Sequence, residues 1–323
     1  MRVQVNSTGL RLMTYSLVVP PLRVLLARSL ILALSVASLG APIAQATAQT
    51  GGTVRVSQVR PRFHLISSNA GNLVVYVDDS LSLVAGYQAP ELVRAARNLL
   101  RTLRAPPLRY AVSLNGDSAV DFGDGGWGSL GVWTIVHEDI RYRMKQHVDS
   151  GKKWGATPLM GNLPNIAFAE ALQLHLPNEE AHVVRRTPGL SKSDVIMHFE
   201  DGNVMMLGNL VVADEYPDFP ARGGSVPTYL QSIDFFLQSF RPNQIEPIVP
   251  SRGRTLTMAE LRAYRAMLGT AVDRVNQLRA AGKTEDEVVA AKPTAEFDEQ
   301  WGRGRVTPER FVRSLFRAPP PKP

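Results

Sequence analysis

The stretch from Leu108 to Asp124, LRYAVSLNGDSAVDFGD, sets the terms for the rest of the chain. The run Arg109-Tyr110-Ala111-Val112-Ser113 reads as a buried strand. It breaks at once into Asn115, Gly116, Asp117, Ser118, Asp121, Gly123, Asp124, Gly125 and Gly126. A strand that ends in Gly, Asp and Asn puts polar side chains at the carboxyl edge of a sheet, where ligands bind in open α/β architectures. A solvated acidic turn has the same composition. A second strand, Val132–Val136, follows, and then His137-Glu138-Asp139-Ile140-Arg141, which opens a helix running to Gln146. Glu138 and Asp139 suit the positive end of that helix. His137 is expected to cap or pack rather than to bind metal.

The segments before this stretch read as strands. Thr53–Val59, Phe63–Ile66, Leu73–Val77 and Ser82–Val84 are separated by Pro, Asn-Gly and Asp-Asp-Ser breaks. Pro90 to Leu103 then reads as a helix, because Leu92, Val93, Ala96, Leu99, Leu100 and Leu103 fall on one face. Its arginines, Arg94, Arg97, Arg101 and Arg104, fall on the other. Gly151–Asn165 is rich in Gly, Pro and Asn and reads as loop, with Trp154 and Met160 as candidate wall or packing residues.

Beyond it, Leu172–Leu176, His182–Arg186, Val195–Phe199 and Asn203–Leu207 read as strands, then Val226–Phe240 as a helix and Gln244–Val249 as the last core strand. His182 and His198 read as structural strand residues. Thr257 with Glu260, and Thr284 with Glu287, are capping boxes that start two further helices. Phe297, Trp301, Phe311, Val312, Leu315 and Phe316 mark closing helices. Two strand-rich halves, each punctuated by amphipathic helices, predict an α+β chain, and the family resemblance carried by the motifs below implies its form, an αββα four-layer sandwich of two mixed sheets.

In order, these motifs resemble the metallo-β-lactamase-fold hydrolases, in particular their exported zinc enzymes, over roughly residues 60 to 317. The likeness rests on Gly71-Asn72 with its hairpin, on the 108–143 stretch, and on Thr187–Asp194. It also rests on Tyr216-Pro217 with Gly223-Gly224-Ser225, and on Pro250-Ser251-Arg252-Gly253. The family's His-x-His-x-Asp-His loop holds two zinc ions. Its four ligand positions fall on Asn115, Asp117, Ala119 and Val120 here. The remaining ligand positions fall on Leu190, Asn209 (the family's bridging Asp) and Arg252, and the supporting acid of the fourth strand falls on Ala85.

A zinc cage needs several converging imidazoles, thiolates or carboxylates. Of these seven positions only Asp117 keeps an anionic group. Arg252 carries a charge it cannot shed. The resemblance therefore implies the fold but no zinc or other cofactor, with Asp117 and Arg252 facing each other across a remade cleft. Two functions remain open. One is a non-catalytic binding or scaffold protein for a small molecule or protein. The other is a hydrolase of ester, thioester or amide-type substrates, with Asp117 as general base and Arg252 stabilising an oxyanion. Oxygens from Asp117, Asp121 and Asp124 could also be offered to Ca²⁺, but their spacing matches no EF-hand loop.

Residues 1–48 read as a signal peptide. Arg2, Arg11, Arg23 and Arg28 precede the apolar core Ser29–Leu39, and Ala44-Gln45-Ala46 and Ala46-Thr47-Ala48 have the form of cleavage sites. Met13 is a possible alternative start. A single domain, 49–317, and a Pro-rich tail, 318–323, follow. The expected location is periplasmic or secreted, with the membrane involved only through export. Removing the four leader arginines from the chain's 36 Lys+Arg leaves 32 against 29 Asp+Glu, so the high pI of 9.8 partly belongs to the leader. No basic face with interleaved aromatics points to nucleic acid. There are no cysteines, so an exported chain must be held by its apolar core alone.

Overall fold

The computed structural model describes residues 54–114, 127, 130–150, 163–185, 194–219, 225–240 and 245–318. Its first sheet contains β1 (Arg55–Arg60), β2 (Phe63–Ser67), β3 (Asn72–Val77), β4 (Ser82–Gly86), β5 (Leu108–Ser113), β6 (Trp133–His137) and β7 (Ile166–Phe168). They lie side by side in chain order. The β1–β4 pairings are antiparallel hairpins, and β4, β5, β6 and β7 run parallel. Parallel pairs need crossovers. Helices α1 (Pro90–Thr102) and α2 (Glu138–Asp149) supply two of them.

The second sheet has the order β12-β11-β10-β9-β8. Its strands are β8 (Ala171–Leu176), β9 (Glu179–Arg185), β10 (Val195–Phe199), β11 (Val204–Met206) and β12 (Ile248–Val249). It is antiparallel except for the β11–β12 pair. Helices α3 (Val226–Ser239), α4 (Met258–Ala280), α5 (Glu285–Ala290), α6 (Asp298–Trp301) and α7 (Pro308–Arg317) complete the chain.

The layers follow from strand alternation. Leu65, Val74, Tyr76, Leu83, Ala85 and Val112 of the first sheet pack against Val183, Met197, Phe199, Val204, Met206 and Val249 of the second. The opposite face of the first sheet buries Ile66, Val75, Val84 and Ala111 against Leu92, Val93 and Ala96 of α1, with Trp127 beside them. Val136 packs on Ile140 and Met144 of α2. The opposite face of the second sheet buries Ile196, Met205 and Ile248 against α3, α4 and α7. Four layers, αββα, result as expected.

Most elements sit where the pattern placed them, and both expected capping boxes form. The arginine face of α1 is exposed, but so is Leu103, the last residue of its expected apolar stripe. The last core strand is only Ile248–Val249. His137 caps α2: its Nδ1 accepts from the Asp139 amide at 3.2 Å, and its Nε2 lies 2.8 Å from the Ala169 carbonyl. Among the described residues no helix is long and apolar enough to cross a membrane.

One buried network ties the two sheets at the β3–β4 turn. Asp78 accepts from Tyr76 Oη, Asn178 Nδ2 and the Asp79 amide, each at 2.7 Å. Burial pushes its carboxyl pKa up, but these donors and Arg62 at 4.0 Å outweigh that and hold it below the usual value.

Candidate functional site

The site builds up from backbone contacts between the ends of four strands. β5 continues into Leu114, whose carbonyl accepts from the Val195 amide at the start of β10, 3.4 Å away. Gly208, in the 3-10 turn Gly208–Leu210 after β11, presses on the carbonyls of the same two residues. A Cβ there would lie 2.5 Å from Val195 O and 2.9 Å from Leu114 O, and its φ of +50° also favours glycine. Asn209 follows directly and is half-buried.

The parallel pairing of β11 with β12 continues beyond the strands. Leu207 N donates to Val249 O (2.9 Å), Ser251 N to Val211 O (3.2 Å) and Ala213 N to Arg252 O (3.1 Å). The segments 207–215 and 249–254 therefore run together, and this brings Arg252 to Glu215. Asn72, buried at the start of β3, fixes the second segment from below. Its amide donates to Ser251 O (2.8 Å), and its side-chain Nδ2 donates to Pro250 O (3.0 Å) and Gly253 O (2.9 Å).

Arg252 Nη2 lies 3.3 Å from Glu215 Oε2, with about a quarter of one side chain and a fifth of the other exposed. Glu215 Oε2 also accepts from the Arg305 amide at 3.4 Å. The Arg305 guanidinium in turn donates to the Asn69 carbonyl. One carboxylate thus ties the loops after β11 and β12 to the segment before α7. The next arginine, Arg254, takes Asp214 through two bonds of 2.9 and 3.0 Å and Glu260 at 2.5 Å. Three buried polar atoms here have no hydrogen-bond partner among the described residues: Arg252 Nε, Asn72 Oδ1 and the Ser113 hydroxyl at the end of β5.

Of the candidate residues, Asn209 and Arg252 fall in this region, on the two segments that the continued β11–β12 pairing runs side by side. Asn115, Asp117, Ala119, Val120 and Leu190 lie outside the described residues, as do Asp121, Asp124, Trp154 and Met160. Arg252 has an acidic partner that the sequence reading missed, Glu215. It stands in a stretch read only for its Tyr-Pro motif, and 37 residues separate it from Arg252. Its signal was the acidic pair Asp214-Glu215 immediately before that motif. Ala85, at the family's supporting-acid position, is fully buried in the inter-sheet core. His182 and His198 are on the helix-facing side of the second sheet, away from the inter-sheet core.

No protein-family model and no curated protein matches the sequence. Solved structures do match. A stereoselective inverting sec-alkylsulfatase, Pisa1 from Pseudomonas sp., aligns over 82% of this chain with a TM-score of 0.64 and 14% identity. The chain spans about half the length of that enzyme, 50% of it. The DIM-1 metallo-β-lactamase, in crystals exposed to ceftazidime, aligns over 68% of this chain and 97% of its own, with a TM-score of 0.53 and 14% identity. With two face-packed mixed sheets, helices on both outer faces and these two likenesses, the chain has the metallo-β-lactamase fold.

Proposed function

We propose that this is an exported metallo-β-lactamase-fold protein that has lost the dinuclear zinc site and uses the old cleft to bind rather than to hydrolyse. The observation that carries the reading is the Arg252–Glu215 pair. At a position where the family places a zinc-binding imidazole, this chain has a permanent cation, already neutralised by a carboxylate of its own. The neighbouring position, Asn209, offers a neutral amide where a bridging carboxylate would have to balance two dications. Neither residue fits a zinc ion.

The same residues suit a binding role. A buried N–H without an acceptor costs about 1–3 kcal/mol. Arg252 Nε and Ser113 Oγ could recover that cost by donating to a carbonyl, carboxylate or similar oxygen of a ligand. The occupant is accordingly a small molecule or a protein segment that presents such oxygens. Export rests on the leader-like residues 1–48. N-terminal sequencing of the protein recovered from outside the cytoplasm should begin near Thr47 or Gln49.

Chromogenic ester, thioester and amide substrates distinguish binding from hydrolysis. The expected result is no turnover above that of an Arg252→Ala variant, with or without added zinc. Saturable hydrolysis abolished by Asp117→Ala would establish the hydrolase reading instead.

A further inference from the structure

The outer face of the second sheet carries a separate cluster of ligand-type side chains. Alternation along β9 places Glu180 and His182 on the face away from the inter-sheet core, and alternation along β10 does the same for His198 and the following Glu200. Strand register then sets them side by side: His182 opposite His198, Gln173 opposite His182, and His175 opposite Glu180. His182 Nε2 stands 3.0 Å from Glu200 Oε2 and 3.4 Å from Glu180 Oε1. His175 Nδ1 is 3.8 Å from the other oxygen of Glu180. One donor atom from each of Glu180, His182 and Glu200 lies within 4.8 Å of the other two.

We propose that Glu180, His182 and Glu200 form a surface site for a first-row divalent metal ion of the zinc type, with water completing its shell. Three observations support it. First, donors ~2.0–2.2 Å from a tetrahedral zinc stand roughly 3.2–3.6 Å from one another. The two separations at His182 Nε2 are close to that edge length, so an ion could enter with only small side-chain shifts. Second, the donor set is mixed nitrogen and oxygen, which suits zinc and its neighbours rather than Ca²⁺, whose shell is six to eight oxygens.

Third, the donors are held in place by the sheet. Glu200 N donates to Glu180 O at 2.9 Å, and Glu180 N donates to Asp201 Oδ2 at 3.2 Å. Gln173 sits 3.2 Å behind His182 Nδ1, and the ring of His198 stacks on the His182 ring at 6.5 Å.

Binding through Nε2 puts the imidazole proton on Nδ1. Gln173 Nε2 stands 3.2 Å from both His182 Nδ1 and Glu180 Oε1, so its amide would have to turn on metal binding to accept that proton and give the outer-shell support a metal-bound histidine normally has. Without an ion, one imidazole faces two carboxylates, and protonating it balances only one of them. The site is independent of the cleft reading, because none of its residues occupies a former ligand position.

The test is zinc titration calorimetry on the full chain, with cobalt absorption as the report on geometry. The expected result is one saturable equivalent and the visible bands of tetrahedral cobalt. Affinity should fall at least about tenfold in Glu200→Gln, a half-exposed position where folding is not at stake, and in His182→Gln. It should be unchanged in Arg252→Met, which reports on the cleft alone. Affinity should also fall as pH drops, because the imidazole must shed its proton to bind. Absence of saturable binding, or binding that survives both His182→Gln and Glu200→Gln, would overturn the proposal.

Discussion

Removing Glu215 should cost more than removing Arg252, and a double-mutant cycle can show it. The pair is partly buried, with 24% of the Arg252 side chain and 21% of the Glu215 side chain exposed. Exposed pairs are worth about 0.2–1 kcal/mol, whereas breaking a fully buried pair costs about 3–5 kcal/mol. The single contact of 3.3 Å is long for a charge-assisted bond. The coupling energy therefore belongs near 1 kcal/mol. The single variants are not symmetric. In Arg252→Met, Glu215 keeps the Arg305 amide, and the unpartnered Nε disappears, so the cost is about 1 kcal/mol. In Glu215→Ala, Arg252 keeps a half-buried charge with no other ion-pair partner among the described residues. The Arg305 amide also loses its acceptor, and packing against Gly304 is lost. That adds up to about 2 kcal/mol. Urea unfolding of the wild type, both single variants and the double variant measures all of this. Coupling within error of zero, or Arg252→Met as the more costly change, would refute the pairing argument.

Asp78→Ala should be strongly destabilising. It strands Tyr76 Oη and Asn178 at a buried turn, for a loss of about 3–4 kcal/mol and a melting temperature roughly 10 °C lower by calorimetry. Burial holds His137 neutral below its ordinary value of 6.5, mainly through desolvation. Below that pH the unfolded chain takes up a proton that the folded chain refuses. Stability should therefore fall as pH drops from about 6.5 towards the lowered folded value, by up to ~1.4 kcal/mol per pH unit from this residue. His64 and His198 are shifted the same way and add to the slope. Denaturant titrations across that range should show a shallower slope in His137→Gln.

The fold was legible in the sequence because each of its devices is local. Thr257 with Glu260 and Thr284 with Glu287 announce α4 and α5 within four residues, and both boxes close as written. The hairpin at Glu200-Asp201-Gly202 is signalled by composition, and the buried Glu179 carboxylate accepts from the amides of Asp201 and Gly202. That contact crosses to β9, so the early start of β9 at Glu179 was not readable from its own neighbours. β7 was missed because three residues, Ile166–Phe168, carry too little pattern inside a stretch rich in Gly, Pro and Asn. β12 shrank because only Ile248 and Val249 pair with β11.

The site was legible only in part. The identities at Asn209 and Arg252 could be read from motif order. The partner of Arg252, the clamp made by Asn72 and the cross-strand meeting of His182 with Glu200 could not. Each joins residues that only sheet register and the β11–β12 pairing bring together.

The proposed function requires a cleft remade around a protein cation instead of a metal. Elemental analysis of the purified, dialysed chain carrying His182→Gln and Glu200→Gln addresses the cleft without interference from the surface cluster. That protein should retain no zinc, and should gain none when Arg252→His is added, because too few ligands remain to close a cage. One or two zinc ions per chain surviving dialysis in that background would contradict the proposed function.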